Sequence, residues 1–272
     1  METKEKNEPI VKTHTIEWIY WGKEIKINTF PVNWSKNVVI NIHGTFWSLK
    51  WWNDKYLNFA TKLQEENISN VVLYASSRKD VKIDSSITDI YKQKQAKFIW
   101  KTFSHELEDS RRVIVDTINN SKELFWVEPK DLEITLNWNS LWGIIAFYLA
   151  SEFPQVKNIS TVWTGLRLEI KDVPILDTFP NIEELEEKLK SFNWNFLMNY
   201  WSEDDVFTSE AFSDFYQKAW TNKKSFVQLI SVKTASPAGF KTVNPGPIDV
   251  TEYILFYVKN RKEFEFNKKT EF

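Results

Sequence analysis

Two periodicities alternate along this 272-residue chain. Residues 14–30 alternate apolar and polar positions, THTIEWIY and then KEIKINTF, around Trp21-Gly22, the pattern of a β-hairpin with one buried face. NVVINI (37–42) and VVLY (71–74) are short apolar runs, as expected of buried strands. From Phe98 to Asn120 the apolar residues Phe103, Leu107, Val113, Ile114 and Ile118 recur at helical spacing among charges. Ile134–Leu136 predicts another strand, and an apolar helix is expected from Leu141 to about Phe153. Ile159–Val162, Asn195–Tyr200 and Phe226–Val232 read as further short strands, and Ile248–Lys259 as a closing helix.

This alternation predicts an α/β fold, a mostly parallel central sheet with helices on both faces. Residues 167–193 interrupt it with NIEELEEKLKSF, an acidic amphipathic helix that reads as a small helical insertion with a solvated charged face. No repeat, low-complexity tract or linker divides the sequence, so one domain over 1–272 is expected.

Composition narrows the function classes. With 42% apolar and 26% charged residues, the chain is ordinary globular material. A formal net charge of −2 gives no reason to expect a nucleic-acid or anionic-membrane partner. No cysteine occurs, which excludes disulfides, a thiolate nucleophile and cysteine-based metal sites. The first residues, METKEKNEPIVKT, lack the apolar core of a signal peptide, and no run approaches the 18 apolar residues of a membrane span. A cytoplasmic protein is expected. Three isolated histidines offer no metal-ligand pair and no glycine-rich phosphate loop follows the first strand, so neither metal nor cofactor is expected.

Tryptophan changes the picture. There are 14 tryptophans and only six glycines, which together match the ordinary share of glycine alone, about 7%. Several stand at turn-like positions: Trp21, Trp34, Trp47, Trp201 and Trp220. The clearest case is ITLNWNSLWGII (134–145). With glycine at 138 and 142 it reads G-N-S-L-G-G, a G-x-S-x-G turn between strand and helix in which the flanking residues must be nearly free of side chains. We read many of these tryptophans as UGA codons that the source genome translates as glycine. The alternative, an aromatic ligand surface, predicts tryptophans gathered on one exposed face instead of scattered through turns.

Three segments, in order, resemble the α/β-hydrolase family, and the resemblance spans nearly the whole chain. His43-Gly44-Thr45-Phe46 after a strand is similar to the loop that supplies part of the oxyanion hole. Asn139-Ser140-Leu141 stands at the nucleophile turn. Tyr200-Trp201-Ser202-Glu203-Asp204-Asp205 is similar to the segment that carries the catalytic acid. The resemblance implies acyl transfer: Ser140 as nucleophile, Asp204 (with Asp205 as rival) as acid, and backbone N–H groups of Leu141 and of Thr45 or Phe46 facing the developing oxyanion.

The base does not fit the pattern. The family's histidine stands after the last strand, in a turn similar to Ala238-Gly239-Phe240, and here Phe240 occupies its place, with Lys241 beside it. No histidine follows His105. His43 belongs to the oxyanion loop by resemblance, His105 reads as a solvated mid-helix residue, and His14 as an exposed residue before the first strand. Two functions follow: a serine hydrolase acting on an ester or related acyl bond, or a non-catalytic relative that keeps a pocket for a small molecule or partner.

Overall fold

The structure, a computed structural model, describes residues 9–17, 24–42, 55–75, 86–88, 92, 102–139, 141–162, 164–165, 178–191, 195–201, 209–219, 223–230, 232–236, 239–243 and 268–271. In chain order the elements are β1 (Lys12–Glu17), β2 (Glu24–Phe30), β3 (Asn37–Ile42), α1 (Lys55–Glu65), β4 (Asn70–Ala75), α2 (Phe103–Asn119), α3 (Ser121–Phe125), β5 (Glu133–Asn139), α4 (Leu141–Ala150), β6 (Val156–Val162), α5 (Ile182–Ser191), β7 (Asn195–Trp201), α6 (Ser209–Lys218), β8 (Lys223–Ile230), β9 (Val232–Ser236), β10 (Gly239–Val243) and β11 (Lys268–Glu271). The expected helix over 248–259 lies outside the described residues, as do the hairpin turn at 18–23 and all of 167–177.

Nine strands form one sheet in the order β1-β2-β4-β3-β5-β6-β7-β8-β11. β1 pairs with β2 and β2 with β4 antiparallel, and every pairing from β4 to β11 is parallel. The fold is therefore α/β with a mostly parallel sheet. Consecutive residues of β3 and β5 are buried, so both faces of these strands are covered, as parallel strands require.

The two faces differ in chemistry. Val72, Ile40, Leu136, Ile159 and Phe196 stand opposite one another across five strands, each fully buried in the main core. Phe147 of α4, Phe196 of β7 and Phe215 of α6 lock this layer, with ring centroids 5.1–5.5 Å apart and edges against faces, a geometry worth about 0.5–1.5 kcal/mol per pair beyond burial. One residue further along, the opposite face carries Leu73, Asn41, Asn137, Ser160 and Leu197.

α1, α3, α6, β10 and β11 escaped the sequence reading, and β9 was reached only at Val232. α1 buries Tyr56, Phe59, Ala60 and Leu63 and packs on β4 and β2. α6 buries Ala211, Phe212 and Phe215. The expected helix from 98 begins at Phe103, because Thr102 caps it: the His105 N–H donates to Thr102 Oγ1 (3.4 Å) and the Thr102 N–H to His105 Nδ1 (3.1 Å). His105 is thus a first-turn capping residue, not a solvated mid-helix one. His14 lies within β1, half-buried, with Nε2 2.7 Å from Asp116 Oδ2 of α2, not exposed ahead of the strand. Among the described residues no helix is long and apolar enough to cross a membrane.

Trp34 and Trp126 carry positive φ, 65° and 62°. Trp126 ends α3 in the left-handed conformation, where helices favour glycine. The Trp34 N–H donates to the Phe125 carbonyl (2.9 Å), and the two rings meet edge to face at 5.4 Å while 72% and 50% exposed. A left-handed residue with a β-carbon costs about 1–2 kcal/mol, and rings this exposed recover little of that by burial. Trp34→Gly and Trp126→Gly are each expected to raise the thermal midpoint by a few degrees. Trp34→Ala, which keeps the β-carbon, should not, as scanning calorimetry of the three variants would read.

Candidate functional site

Parallel register brings the carboxyl ends of three strands to one edge. Ile42, the last residue of β3, stands opposite Trp138 of β5. Asn139, the last of β5, stands opposite Val162 of β6, and Val162 opposite Asn199 of β7, two residues before that strand ends at Trp201. In open α/β sheets ligands bind at this edge. The segments singled out by sequence follow these ends directly in the chain: 43–46 after β3, Ser140 after β5, and 202–205 after β7. His43, Thr45, Phe46, Ser140, Asp204 and Asp205 themselves lie outside the described residues.

β5 gives way to α4 across a single residue, since Asn139 is strand and Leu141 is helix. Leu141 opens α4, so its backbone N–H is one of the first four that have no acceptor within the helix. It also stands at the positive end of the helix dipole. Phe240 and Lys241 lie in β10, which pairs antiparallel with β9 as a separate two-stranded sheet, Phe240 opposite Ala235. Gly239 and Phe240, which the resemblance places in a turn, thus open a strand.

Below the edge, side chains join β5 to β3. Asn137 Nδ2 donates to Asn41 Oδ1 at 2.7 Å, Trp138 Nε1 to the Ile40 carbonyl at 3.1 Å, and Asn139 Nδ2 to the Ile42 carbonyl at 2.7 Å. All three residues are buried. The expected gaps at 138 and 142 are filled: both indoles are fully buried in the main core. Trp142 Nε1 donates to Glu106 Oε2 of α2 at 3.1 Å. The Trp138 ring meets Tyr74 edge to face at 6.4 Å. Burial holds the Tyr74 phenol well above its usual range, and its hydroxyl donates to Ser110 Oγ at 3.0 Å. Sequence reasoning missed this buried polar set on α2. Glu106 and Ser110, four residues apart among apolar positions, were its signal.

The first turn of α4 is fitted closely to the segment after β6. A methyl group on Gly143 would collide first with Thr164 Oγ1 and would sit 2.6 Å from its Cγ2 and 2.8 Å from its Cβ, and Thr164 is fully buried.

Neither a protein-family model nor a curated protein matches the sequence. Solved structures match the fold. A cold-adapted esterase from an Arctic intertidal metagenomic library aligns at TM-score 0.65 and 12% identity, over 97% of this chain and 100% of that one. A dienelactone hydrolase from Anabaena variabilis aligns at 0.59 and 14%, over 92% and 96%. An esterase from Pyrococcus furiosus aligns at 0.59 and 14%, over 93% and 90%. The chain has the α/β-hydrolase fold these proteins share.

Gly143→Ala is expected to lower the thermal midpoint by the equivalent of about 1–3 kcal/mol, the usual cost of overpacking. Thr164→Ala, which removes both Oγ1 and Cγ2, should return part of the loss in the double variant. Equal midpoints for Gly143→Ala and the parent would show that the contact relaxes at no cost.

Proposed function

We propose that the chain is a single-domain serine acyl hydrolase, with helices on both faces of its sheet, that cleaves an ester or related acyl bond. One observation carries the reading. The ends of β3, β5 and β7 share an edge, and each is followed at once by a segment with the residue types that acyl transfer needs. The esterases and dienelactone hydrolase with the same fold support it.

In the proposed reaction Ser140 Oγ attacks the substrate carbonyl while a base takes its proton. The carbonyl oxygen becomes an oxyanion facing the N–H groups of Leu141 and of Thr45 or Phe46. Collapse expels the alcohol, and water then releases the acid from the acyl-serine. Asp204 is the proposed acid, its role being to orient the base. One oxyanion donor is worth about 3–4 kcal/mol of barrier. No nucleic acid, membrane, metal or cofactor enters the scheme.

A specific observation favours a second reading, a non-catalytic relative that binds a small molecule or partner. His14 is engaged with Asp116 and His105 with the Thr102 cap, and Phe240 and Lys241 lie on a strand where the base would stand. A fluorophosphonate probe separates the two. Stoichiometric labelling that Ser140→Ala abolishes and Asp204→Asn slows is the expected result, and a chain that stays unlabelled is the binding protein instead.

The same proposal reads many tryptophans as recoded glycines, and the left-handed backbone at Trp34 and Trp126 supports that reading. At 138 and 142 two effects oppose. Glycine would free the turn around Ser140, while the buried indoles would leave cavities costing about 3–5 kcal/mol each. Two such cavities outweigh the roughly 1–3 kcal/mol per site that relief of the turn returns. A chain with glycine at 47, 138, 142 and 201 is therefore expected to melt below the chain as written, and a higher midpoint would show that strain at these positions dominates. A lower midpoint would establish Trp138 and Trp142 as authentic core residues.

A further inference from the structure

We infer that Asn139 is a positioning residue of this site, holding the end of β5, which precedes Ser140, in register with the end of β3; the inference rests on the hydrolase reading above. Ile42 opposite Trp138 is the last pair of the β3–β5 ladder. Asn139 stands one residue beyond it, and its side chain donates to the carbonyl of Ile42, the final residue of β3, at 2.7 Å. One short amide therefore joins the residue before the proposed nucleophile to the residue before His43-Gly44-Thr45-Phe46.

The chemistry of this bond is one-sided. A backbone carbonyl only accepts, so the atom facing it must be the amide nitrogen. Asn139 is 3% exposed, so water is a poor replacement for the donor. The bond is made by Asn139 and Ile42 alone, without the side chain of Trp138 or Trp142. Asn137 provides a contrast on the same strand and the same face. Its amide meets another side chain, Asn41 Oδ1, also at 2.7 Å, two residues deeper in the sheet. Equal in length and burial, the two bonds differ in what they restrain, for Asn137 ties strand to strand whereas Asn139 ties the two exits together.

Acyl transfer makes that difference matter. The nucleophile leaves β5 and the proposed loop donors leave β3, and their relative placement must hold to within about 0.5 Å for an oxyanion to meet its donors. Loss of the Asn139 link should therefore act on the transition state more than on substrate binding.

The test compares Asn139→Leu and the isosteric Asn139→Asp with Asn137→Leu in the full chain. The readouts are kcat and KM on p-nitrophenyl acetate, the fluorophosphonate labelling rate and the thermal midpoint. The Asn139 variants are expected to lose about tenfold or more in kcat and labelling rate with KM within about twofold. Asn137→Leu should lower the midpoint at least as far while keeping kcat. Equal kcat losses at the two positions, or a loss of midpoint alone at 139, would overturn the inference; the aspartate variant serves if the leucine one does not fold. If the parent neither hydrolyses nor labels, the hydrolase reading fails separately. Hydrogen exchange over residues 42–46 then decides the link: faster exchange in the Asn139 variants than in Asn137→Leu upholds it, and equal exchange removes it.

Discussion

The parallel register of β3, β5, β6 and β7 is the constraint from which the rest of the molecule follows. Paired parallel strands present residues of one register to one face, so a single row sorts Ile40, Leu136, Ile159 and Phe196 into the main core. The next row sends Asn41, Asn137 and Ser160 the other way. A slip of one residue in β5 would exchange these rows, placing amides against Phe147 and Phe215 and leucine among asparagines. Apolar burial on one side thus fixes where the carboxyl ends of the strands stand on the other axis. The chemistry proposed for the edge relies on packing well below it.

The polar row is held by its own bonds. Asn158 Nδ2 donates to Thr135 Oγ1, Asn195 Nδ2 to Asn158 Oδ1, and Asn199 Nδ2 to the Thr161 carbonyl, continuing across β6 and β7 what Asn137 begins between β5 and β3. Each of these buried amide nitrogens finds an acceptor, whereas Asn137 Oδ1 and Asn199 Oδ1 have no partner among the described residues; an unpaired polar atom costs about 1–3 kcal/mol. The same residues explain which parts of the sheet were legible. VVLY reads as a strand because its apolar run is unbroken, and NVVINI because Asn41 alone interrupts Val38–Ile42, whereas β5 was recognised only as far as Leu136 although it runs to Asn139. Asparagine is depleted in strands, and its partners here are 96 and 97 residues away, beyond any local pattern. α1 is absent from the pattern reading although Tyr56, Phe59, Ala60 and Leu63 follow helical spacing. The capping role of His105 was hidden for a different reason, because a histidine three residues after a threonine is not the usual glutamate of that motif.

Site residues were legible only as a sequence order, the three segments after three strands. What the structure adds is that the strands preceding them are parallel and end together. The tryptophan pattern divides in the same way. At 34 and 126 the backbone itself takes the shape glycine favours, which no composition count reveals, while at 138 and 142 the indoles have neighbours, an acceptor each, and no exposed surface.

The passage from β5 to α4 through one residue also fixes a length. A residue inserted at 140 would turn α4 by about 100° and carry Phe147 away from Phe196 and Phe215, on the far side of the helix from where the core needs it. Deletion would do the same in the opposite sense. This junction therefore behaves as a ruler between the sheet and its main helix, and diversity among descendants of the chain can accumulate in the spacing of other connections but not in this one.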